Sequence, residues 1–159
     1  MPQPQQAVLD AIPHRPPFLF IDSVTELRPD GIVCKRTFRP DEFFYKGHYP
    51  NKPITPGVIL CEAVFQAGAI FLSQKINAEG NSISHLTPVL CRINESRFKG
   101  MIYPNDTVSI EVIFREKLQE FYFLSGKILR NGRVALSIKF TLSLVKQNEA
   151  TATPRPPEN

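Results

Sequence analysis

Two polar side chains interrupt the most apolar stretch of this sequence, residues 57–72. Glu62 and Gln66 lie four residues apart, so on a helix they share one face. A carboxyl group in apolar surroundings has two common roles: it makes a buried structural hydrogen bond, or it keeps its proton because desolvation disfavours the charged form. The second role suits proton-transfer chemistry near neutral pH. Glu62 is therefore a candidate acid, with a structural hydrogen bond as the alternative.

His48 is the second candidate, because it lies between an aromatic cluster and a Pro-rich segment that leads into the same apolar stretch. That segment has a proline at every third position: Pro50, Pro53 and Pro56. The spacing favours a stiff, extended chain, which at ~3.1 Å per residue would place His48 about 22 Å from Thr55. Histidine, glutamate and a glycine at the helix start are residue types that suit acid–base chemistry on a carbonyl compound. A structural or surface role is the alternative for a lone histidine.

The apolar stretch itself predicts a long helix. Thr55 can cap its N-terminus, Pro56 suits the first helical position, and the helical pattern continues to about Gln74. Apolar side chains cover every side of this helix, so it must be buried. In a chain of 159 residues only a sheet can cover it.

Most of the remaining sequence is typical of β-structure. Alternating or continuous apolar patterns predict strands at residues 18–27, 31–39, 87–98, 107–117, 121–130 and 136–144. Turn sequences lie at residues 28–31 and at Asn131–Gly132, the second of which predicts a hairpin. The fold class predicted from these patterns is α+β, with an antiparallel sheet wrapped around one long central helix.

Composition argues against several classes of protein. The length and the 42% hydrophobic content fit one domain, predicted to span residues 1–146. Residues 147–159 are polar and Pro-rich and are predicted to form a disordered tail. The net charge of +4 comes from scattered residues, which argues against nucleic-acid binding. No apolar run reaches the roughly 18 residues of a membrane span, so membrane insertion is not expected.

Cysteine and histidine usage indicates the compartment. The three cysteines are an odd number with no CxxC pair, and the three histidines lie far apart. This pattern argues against a disulfide framework and against a metal site. The N-terminus lacks the basic start and the apolar segment of a signal peptide. The expected location is the cytoplasm.

Several ordered motifs resemble those of the bacterial β-hydroxyacyl-acyl carrier protein dehydratases. They are IPHRPPFL at residues 12–19, GHYP at 47–50, PGVILCEA at 56–63, RF at 97–98 and PND at 104–106. The step of fourteen residues from His48 to Glu62 is that of the family's active-site signature, and Gln66 occupies its glutamine position. The resemblance covers residues 11–145.

The resemblance implies the hot-dog fold and the elimination of water from a 3-hydroxyacyl thioester to give a trans-2-enoyl thioester. It assigns removal of the C2 proton to His48 and protonation of the leaving hydroxyl to Glu62. The backbone N–H of Gly57 would stabilise the carbonyl oxygen. Gln66 would orient its surroundings, and Phe65 would line the acyl tunnel.

The resemblance also implies partners. The substrate would arrive on the phosphopantetheine of an acidic acyl carrier protein, with Arg97 and Lys99 as candidate carrier contacts or as solvated surface charges. Two subunits would join their sheets and share each active site, and three dimers would form a hexamer. His14 would pack or form hydrogen bonds. Proton transfer alone requires no metal or redox cofactor.

Four departures from the family pattern bear on acyl-chain preference and pathway, and they occur at Thr55, Phe65, residues 100–101 and Asn105. Two other functions stay open. A hot-dog thioesterase would hydrolyse the thioester with a carboxylate-activated water and would not need His48. A non-catalytic module that binds acyl carrier protein would be expected to have lost His48 or Glu62, and both are present.

Overall fold

The computed structural model describes residues 5–146 and 155–157. Its elements in these ranges are α1 (Gln6–Ala11), β1 (Ser23–Arg28), β2 (Gly31–Thr37), the 3-10 helix η1 (Phe43–Lys46), α2 (Gly57–Ala78), β3 (Leu86–Phe98), β4 (Thr107–Leu118), β5 (Phe121–Arg130) and β6 (Arg133–Lys146). The α+β class is therefore as the sequence predicts, and α1 is an element that the sequence patterns did not indicate.

All six strands form one antiparallel sheet in the order β1-β2-β4-β5-β6-β3. Strands β4, β5 and β6 therefore lie between β2 and β3, and α2 is the connection that crosses from one side of the sheet to the other. This crossover lays the helix across one face of the sheet. Strands β1 and β3 are the two edges.

The face of the sheet against α2 is built from alternate residues of the central strands. Ile110 pairs with Ile128 of β5, which pairs with Leu136 of β6, and all three side chains are fully buried. Each such side chain contributes about 1.5–3 kcal/mol through its burial. The predicted alternation of β4 and β6 is therefore confirmed. The predicted hairpin is confirmed as well, because Asn131 and Gly132 both have positive φ between β5 and β6.

Helix α2 is buried along most of its length, as its all-round apolar surface requires. By length and composition alone it could cross a membrane, but 78% of its most apolar window is buried inside the protein. Two glycines bring it close to the sheet. A Cβ at Gly68 would lie 3.0 Å from Phe140 Cζ, and one at Gly126 of β5 would overlap Val64 Cγ1. Gly126 therefore leaves the space that Val64 fills.

The helix begins and ends differently from the prediction. Pro56, not Thr55, is the N-cap residue, and Gly57 is the first helical residue. Thr55 does not cap because its hydroxyl is hydrogen bonded to Tyr45 Oη at 2.6 Å. The helix continues past Gln74 to Ala78.

The predicted first strand is too long at its N-terminal end, because residues 18–22 precede β1 rather than belong to it. The predicted disordered tail falls partly outside the described residues. Of its described part, residues 155–157, Pro156 is buried, and the carbonyl oxygens of Pro156 and Pro157 accept hydrogen bonds from the guanidinium of Arg92 at 3.3 and 3.2 Å. This short piece therefore contacts edge strand β3.

Candidate active site

Glu62 lies in the second turn of α2, and its side chain is 24% exposed. Its Oε1 atom accepts a hydrogen bond from Gln66 Nε2 at 3.0 Å. The same oxygen lies 3.5 Å from Nε2 of His14. Both contacts involve Oε1, so Oε2 is the oxygen that is left for a substrate.

Gln66 is 1% exposed, and its three hydrogen bonds fix the orientation of its amide group. Its Oε1 accepts from the N–H of Phe20 at 2.8 Å, and its Nε2 donates to the carbonyl of Phe18 at 3.2 Å. The amide cannot be flipped without losing both bonds. Its N–H therefore faces Glu62 Oε1, which must accept. When Glu62 is neutral, its proton consequently resides on Oε2.

The hydrogen bond from Phe20 N–H to Gln66 also explains why β1 begins later along the chain than the predicted strand. Phe20 N–H points to the helix through Gln66 instead of joining the ladder of the sheet. The segment that precedes β1 is thus tied to α2 at the turn that carries Glu62.

His48 follows η1, and its backbone N–H donates to the carbonyl of Phe44 at 3.0 Å. Its ring nitrogen Nδ1 lies 2.9 Å from the carbonyl oxygen of Ile54. A carbonyl can only accept, so Nδ1 carries the hydrogen. In the neutral ring Nε2 then has the free lone pair and is the basic nitrogen. The ring also stacks on that of Tyr49, with centroids 4.3 Å apart.

The predicted extended path from His48 to the helix is wrong. Ile54 N–H donates to the carbonyl of His48 at 3.1 Å, and Lys52 N–H donates to that of Tyr49 at 3.2 Å. The segment between them therefore turns back on itself. His48 is hydrogen bonded to a residue only three positions before Gly57, rather than about 22 Å from the helix start as an extended chain would require.

Within one chain, His48 and Glu62 are not brought into contact. The imidazole nitrogen within 4 Å of the Glu62 carboxylate belongs to a different histidine, His14 of the segment after α1. Sequence reasoning gave His14 no part in the site. The one signal for it was its place in the IPHRPPFL motif.

The N-terminus of α2 presents backbone donors. The N–H groups of Ile59 and Leu60 bond to the carbonyl of Pro56 at 3.0 and 3.2 Å, whereas those of Gly57 and Val58 have no place in the helical ladder. A Cβ at Gly57 would lie 2.8 Å from Cε1 of Phe98. Glycine is therefore the residue that lets the Phe98 ring cover the helix start.

The remaining predicted site residues are Phe65, Arg97 and Lys99. Phe65 is buried, and its ring centroid lies 5.0 Å from that of Phe140 on the sheet. Arg97 pairs with Ser137 in the ladder, which puts it on the face of the sheet turned away from α2. It is 68% exposed and bonds to Glu95 at 2.7 Å. Arg97 and Lys99 both line a cavity of about 310 Å³ on this outer face.

Comparisons with known proteins agree with the fold. Residues 12–139 match the model of the FabA-like domain. The 3-hydroxyacyl-[acyl-carrier-protein] dehydratase FabZ of Clostridium perfringens is 34% identical over 130 residues, which are 82% of this chain and 90% of that protein. The dehydratase of the same name from Caulobacter sp. is 30% identical over 142 residues, 87% of this chain and 84% of that one.

Two solved structures share the architecture. The dehydratase heterocomplex ApeI:P from Xenorhabdus doucetiae superposes with a TM-score of 0.76 at 15% identity, covering 89% of this chain and 93% of that chain. The uncharacterized protein PH1136 from Pyrococcus horikoshii superposes with a TM-score of 0.61 at 13% identity, covering 81% and 86%. At these identities the likeness concerns the fold alone, and that fold is the hot-dog fold, a sheet wrapped around one central helix.

Proposed function

Because the chain belongs to the FabA-like domain family, we propose that it dehydrates 3-hydroxyacyl thioesters carried on acyl carrier protein to trans-2-enoyl thioesters, in fatty acid or related lipid biosynthesis. One structural observation carries the proposal. Hydrogen bonds leave Glu62 with a single oxygen able to donate a proton and His48 with a single nitrogen able to accept one. An elimination of water needs one acid and one base of this kind.

In the proposed reaction His48 Nε2 removes the C2 proton, which the thioester carbonyl acidifies. The hydrogen bond from Nδ1 to Ile54 O fixes Nδ1 as the protonated nitrogen and so leaves Nε2 to take the proton. The electron pair of the C2–H bond becomes the C2–C3 double bond, and the C3–O bond breaks. Glu62 Oε2 gives its proton to the departing hydroxyl, which leaves as water.

Negative charge develops on the thioester oxygen during this step. In the proposal the N–H of Gly57 donates a hydrogen bond to this oxygen, and its position in the first turn of α2, outside the helical ladder, supports that role. The helix dipole adds favourable potential at the same end. The step is proton transfer throughout, so the proposal includes no metal or redox cofactor.

We propose further that the functional unit is a homodimer with shared sites. The histidine beside Glu62 within one chain is His14, so a His48 from a second chain would complete the pair. Edge strand β3 supports this assembly, because it exposes Leu90 and Ile93 along a 13-residue strand whose outer edge no strand of the described chain covers. A second β3 would continue the sheet. The hexamer of three such dimers rests on the resemblance alone.

Complementation tests the shared site. His48→Ala and Glu62→Gln chains, each inactive alone, should regain activity after co-refolding, because one site of the mixed dimer would hold both native residues. Mixing without refolding is the control and should give no recovery. Mixed dimers of proven composition that stay inactive would refute the shared site.

The outer face of the sheet offers a docking surface for an acidic carrier protein. Its cavity of about 310 Å³ is lined by five cationic and two anionic side chains, Arg97, Lys99, Arg115, Lys127 and Lys139 with Glu95 and Glu111. Charge of this sign would speed association with an acidic partner. A cytoplasmic location completes the proposal and is consistent with three free cysteines.

A paired assay distinguishes the proposed reaction from the alternatives. With a 3-hydroxyacyl thioester of acyl carrier protein, dehydration produces the absorbance of a conjugated enoyl thioester and releases no thiol. A thioesterase releases thiol without enoyl product, and a non-catalytic module does neither. If the protein released thiol without forming enoyl product, and Glu62→Gln abolished this release, the proposed function would be that of a thioesterase rather than a dehydratase.

A further inference from the structure

A buried arginine lies between the elements that hold His48 and Glu62. Arg36 of β2 is 2% exposed. Its Nη1 donates to Asp22 Oδ1 at 2.9 Å, and its Nη2 donates to Glu42 Oε1. A guanidinium is charged at every accessible pH, so its burial requires such compensation. Two carboxylates carry one negative charge more than the guanidinium of Arg36 neutralises. Arg39 lies 3.7 Å from each of them and supplies the second positive charge.

The hydrogen bond from Arg36 to Glu42 supports the segment that carries His48. Glu42 is the residue before η1, and its carbonyl accepts from Tyr45 N–H at 3.1 Å. One residue back in the same short helix, the carbonyl of Phe44 accepts the N–H of His48 at 3.0 Å. A bond that fixes Glu42 therefore fixes the start of the helix whose far end holds the catalytic histidine.

The hydrogen bond from Arg36 to Asp22 supports the segment that orients Glu62. The Cζ atom of Arg36 lies 5.7 Å from the ring centroid of Phe20, and Asp22 is two residues further along the chain. The N–H of Phe20 holds the oxygen of Gln66, and Gln66 in turn orients Glu62. The segment that supports the carboxylate is thus held by the same guanidinium.

Aromatic rings close the space around this charge. The ring centroid of Phe38 lies 5.4 Å from Arg36 Cζ, and Phe44 packs on Phe20 and Phe38 with centroids 6.2 and 6.4 Å apart. A displacement of any member is therefore transmitted to the others, because interiors are close-packed.

We propose that Arg36 is a positioning residue that sets the placement of both His48 and Glu62 by holding Glu42 and Asp22 at once. The inference rests on the proposed dehydration. In the shared-site dimer each Arg36 would position one half of each of the two sites. Lysine cannot replace it fully, because an ammonium lacks the rigid fork that reaches two carboxylates in different directions.

The test compares Arg36→Met and Arg36→Lys with Ile128→Ala, a core substitution on β5 that removes no hydrogen bond. Displacement of a catalytic group by ~1 Å costs about 10²-fold. We expect Arg36→Met to lower kcat by about that factor, with KM within ~3-fold of the original chain. Arg36→Lys should recover part of the loss. Ile128→Ala should lower the Tm and leave kcat within ~3-fold.

A second readout does not depend on activity. The imidazole N–H signal of His48, assigned by its loss in His48→Gln, reports the hydrogen bond from Nδ1 to Ile54 O. We expect the signal to be lost in Arg36→Met and kept in Ile128→Ala. If the unsubstituted chain showed no dehydration, the proposed function would fail, and this signal would still decide whether Arg36 holds the His48 segment.

The inference would be overturned if Arg36→Met and Ile128→Ala, at an equal loss of Tm, had the same kcat and both kept the His48 N–H signal. Should Arg36→Met fail to fold, Arg36→Lys decides the question. Unchanged kcat and an unchanged signal in Arg36→Lys would likewise overturn it, and a partial loss of both would support it.

Discussion

Replacing Gln66 with leucine separates its hydrogen bonds from its volume. Leucine fills nearly the same space, but it leaves the N–H of Phe20 buried without its acceptor and removes the donor to Glu62. An unpaired buried amide costs about 1–3 kcal/mol, and the lost bond to Glu62 about 1 kcal/mol more. For a chain of this size a loss of about 2–4 kcal/mol lowers the Tm by about 5–15 °C.

The effect on turnover follows from the same bonds. Without the Gln66 N–H, either oxygen of Glu62 can carry the proton and the carboxyl group can rotate. We expect kcat to fall by roughly 10-fold or more, a barrier increase of about 1.4 kcal/mol. Thermal melting and steady-state kinetics of the enoyl product measure the two effects.

Gln74→Leu is the matched control, since Gln74 lies on the same helix and is half-buried. Its Tm and kcat should stay close to those of the unsubstituted chain. A Gln66→Leu chain that melted and turned over like Gln74→Leu would refute the assignment of Oε2 as the proton-bearing oxygen.

Three further predictions follow from the contacts already described. His48→Ala and Glu62→Gln should each lower turnover by roughly 10²-fold or more with the Tm nearly unchanged, and unchanged turnover in Glu62→Gln would leave that residue a structural role. Phe65→Ala should shift preference toward longer acyl chains and cost about 3–5 kcal/mol, because its ring packs on Phe140; an unmoved chain-length profile would make Phe65 a core residue only. Truncation after Lys146 should lower the Tm by a few degrees at unchanged turnover, since it removes the acceptors of Arg92. Arg92→Ala should lower the Tm of the full chain by a similar amount and should not lower the Tm of the truncated chain any further. If the losses of Tm from the truncation and from Arg92→Ala were additive, the contact would not be their cause.

The helix and the sheet could be predicted from sequence because both are encoded locally. Strand β5 has the bounds that its apolar run indicates, residues 121–130, and the all-apolar α2 needed only its pattern to be placed inside a sheet. The helix start was less accessible. Thr55 has the chemistry of a cap, but its side chain is hydrogen bonded to the hydroxyl of Tyr45 instead. A local sequence pattern does not reveal that contact.

The placement of His48 failed for a related reason. Proline fixes φ but leaves ψ free, so prolines at every third position allow an extended chain without requiring one. Hydrogen bonds between His48 and Ile54 decide the path, and they link residues six positions apart. The spacing of prolines therefore carried no information about how the chain returns.

Arg36 shows a signal that was present and was not used. Ile32, Cys34 and Arg36 alternate along β2, and all three are buried on the same face. A cation in the third position of a buried alternation predicts carboxylate partners nearby, and Asp22 and Glu42 are those partners. Read with its neighbour Lys35, Arg36 instead resembles a scattered surface charge.

The hydrogen bonds of the two catalytic candidates also restrict the direction in which protons can move. The proposed dehydration would start from neutral His48 and protonated Glu62, and it would end with the imidazolium and the carboxylate. Both states hold the same number of protons, so a pH profile alone cannot tell them apart. The bond from Nδ1 to Ile54 O leaves Nε2 as the nitrogen that takes the proton, and the bond from Gln66 to Oε1 leaves Oε2 as the oxygen that gives one. The reset between turnovers therefore requires transfer of one proton from Nε2 to Oε2.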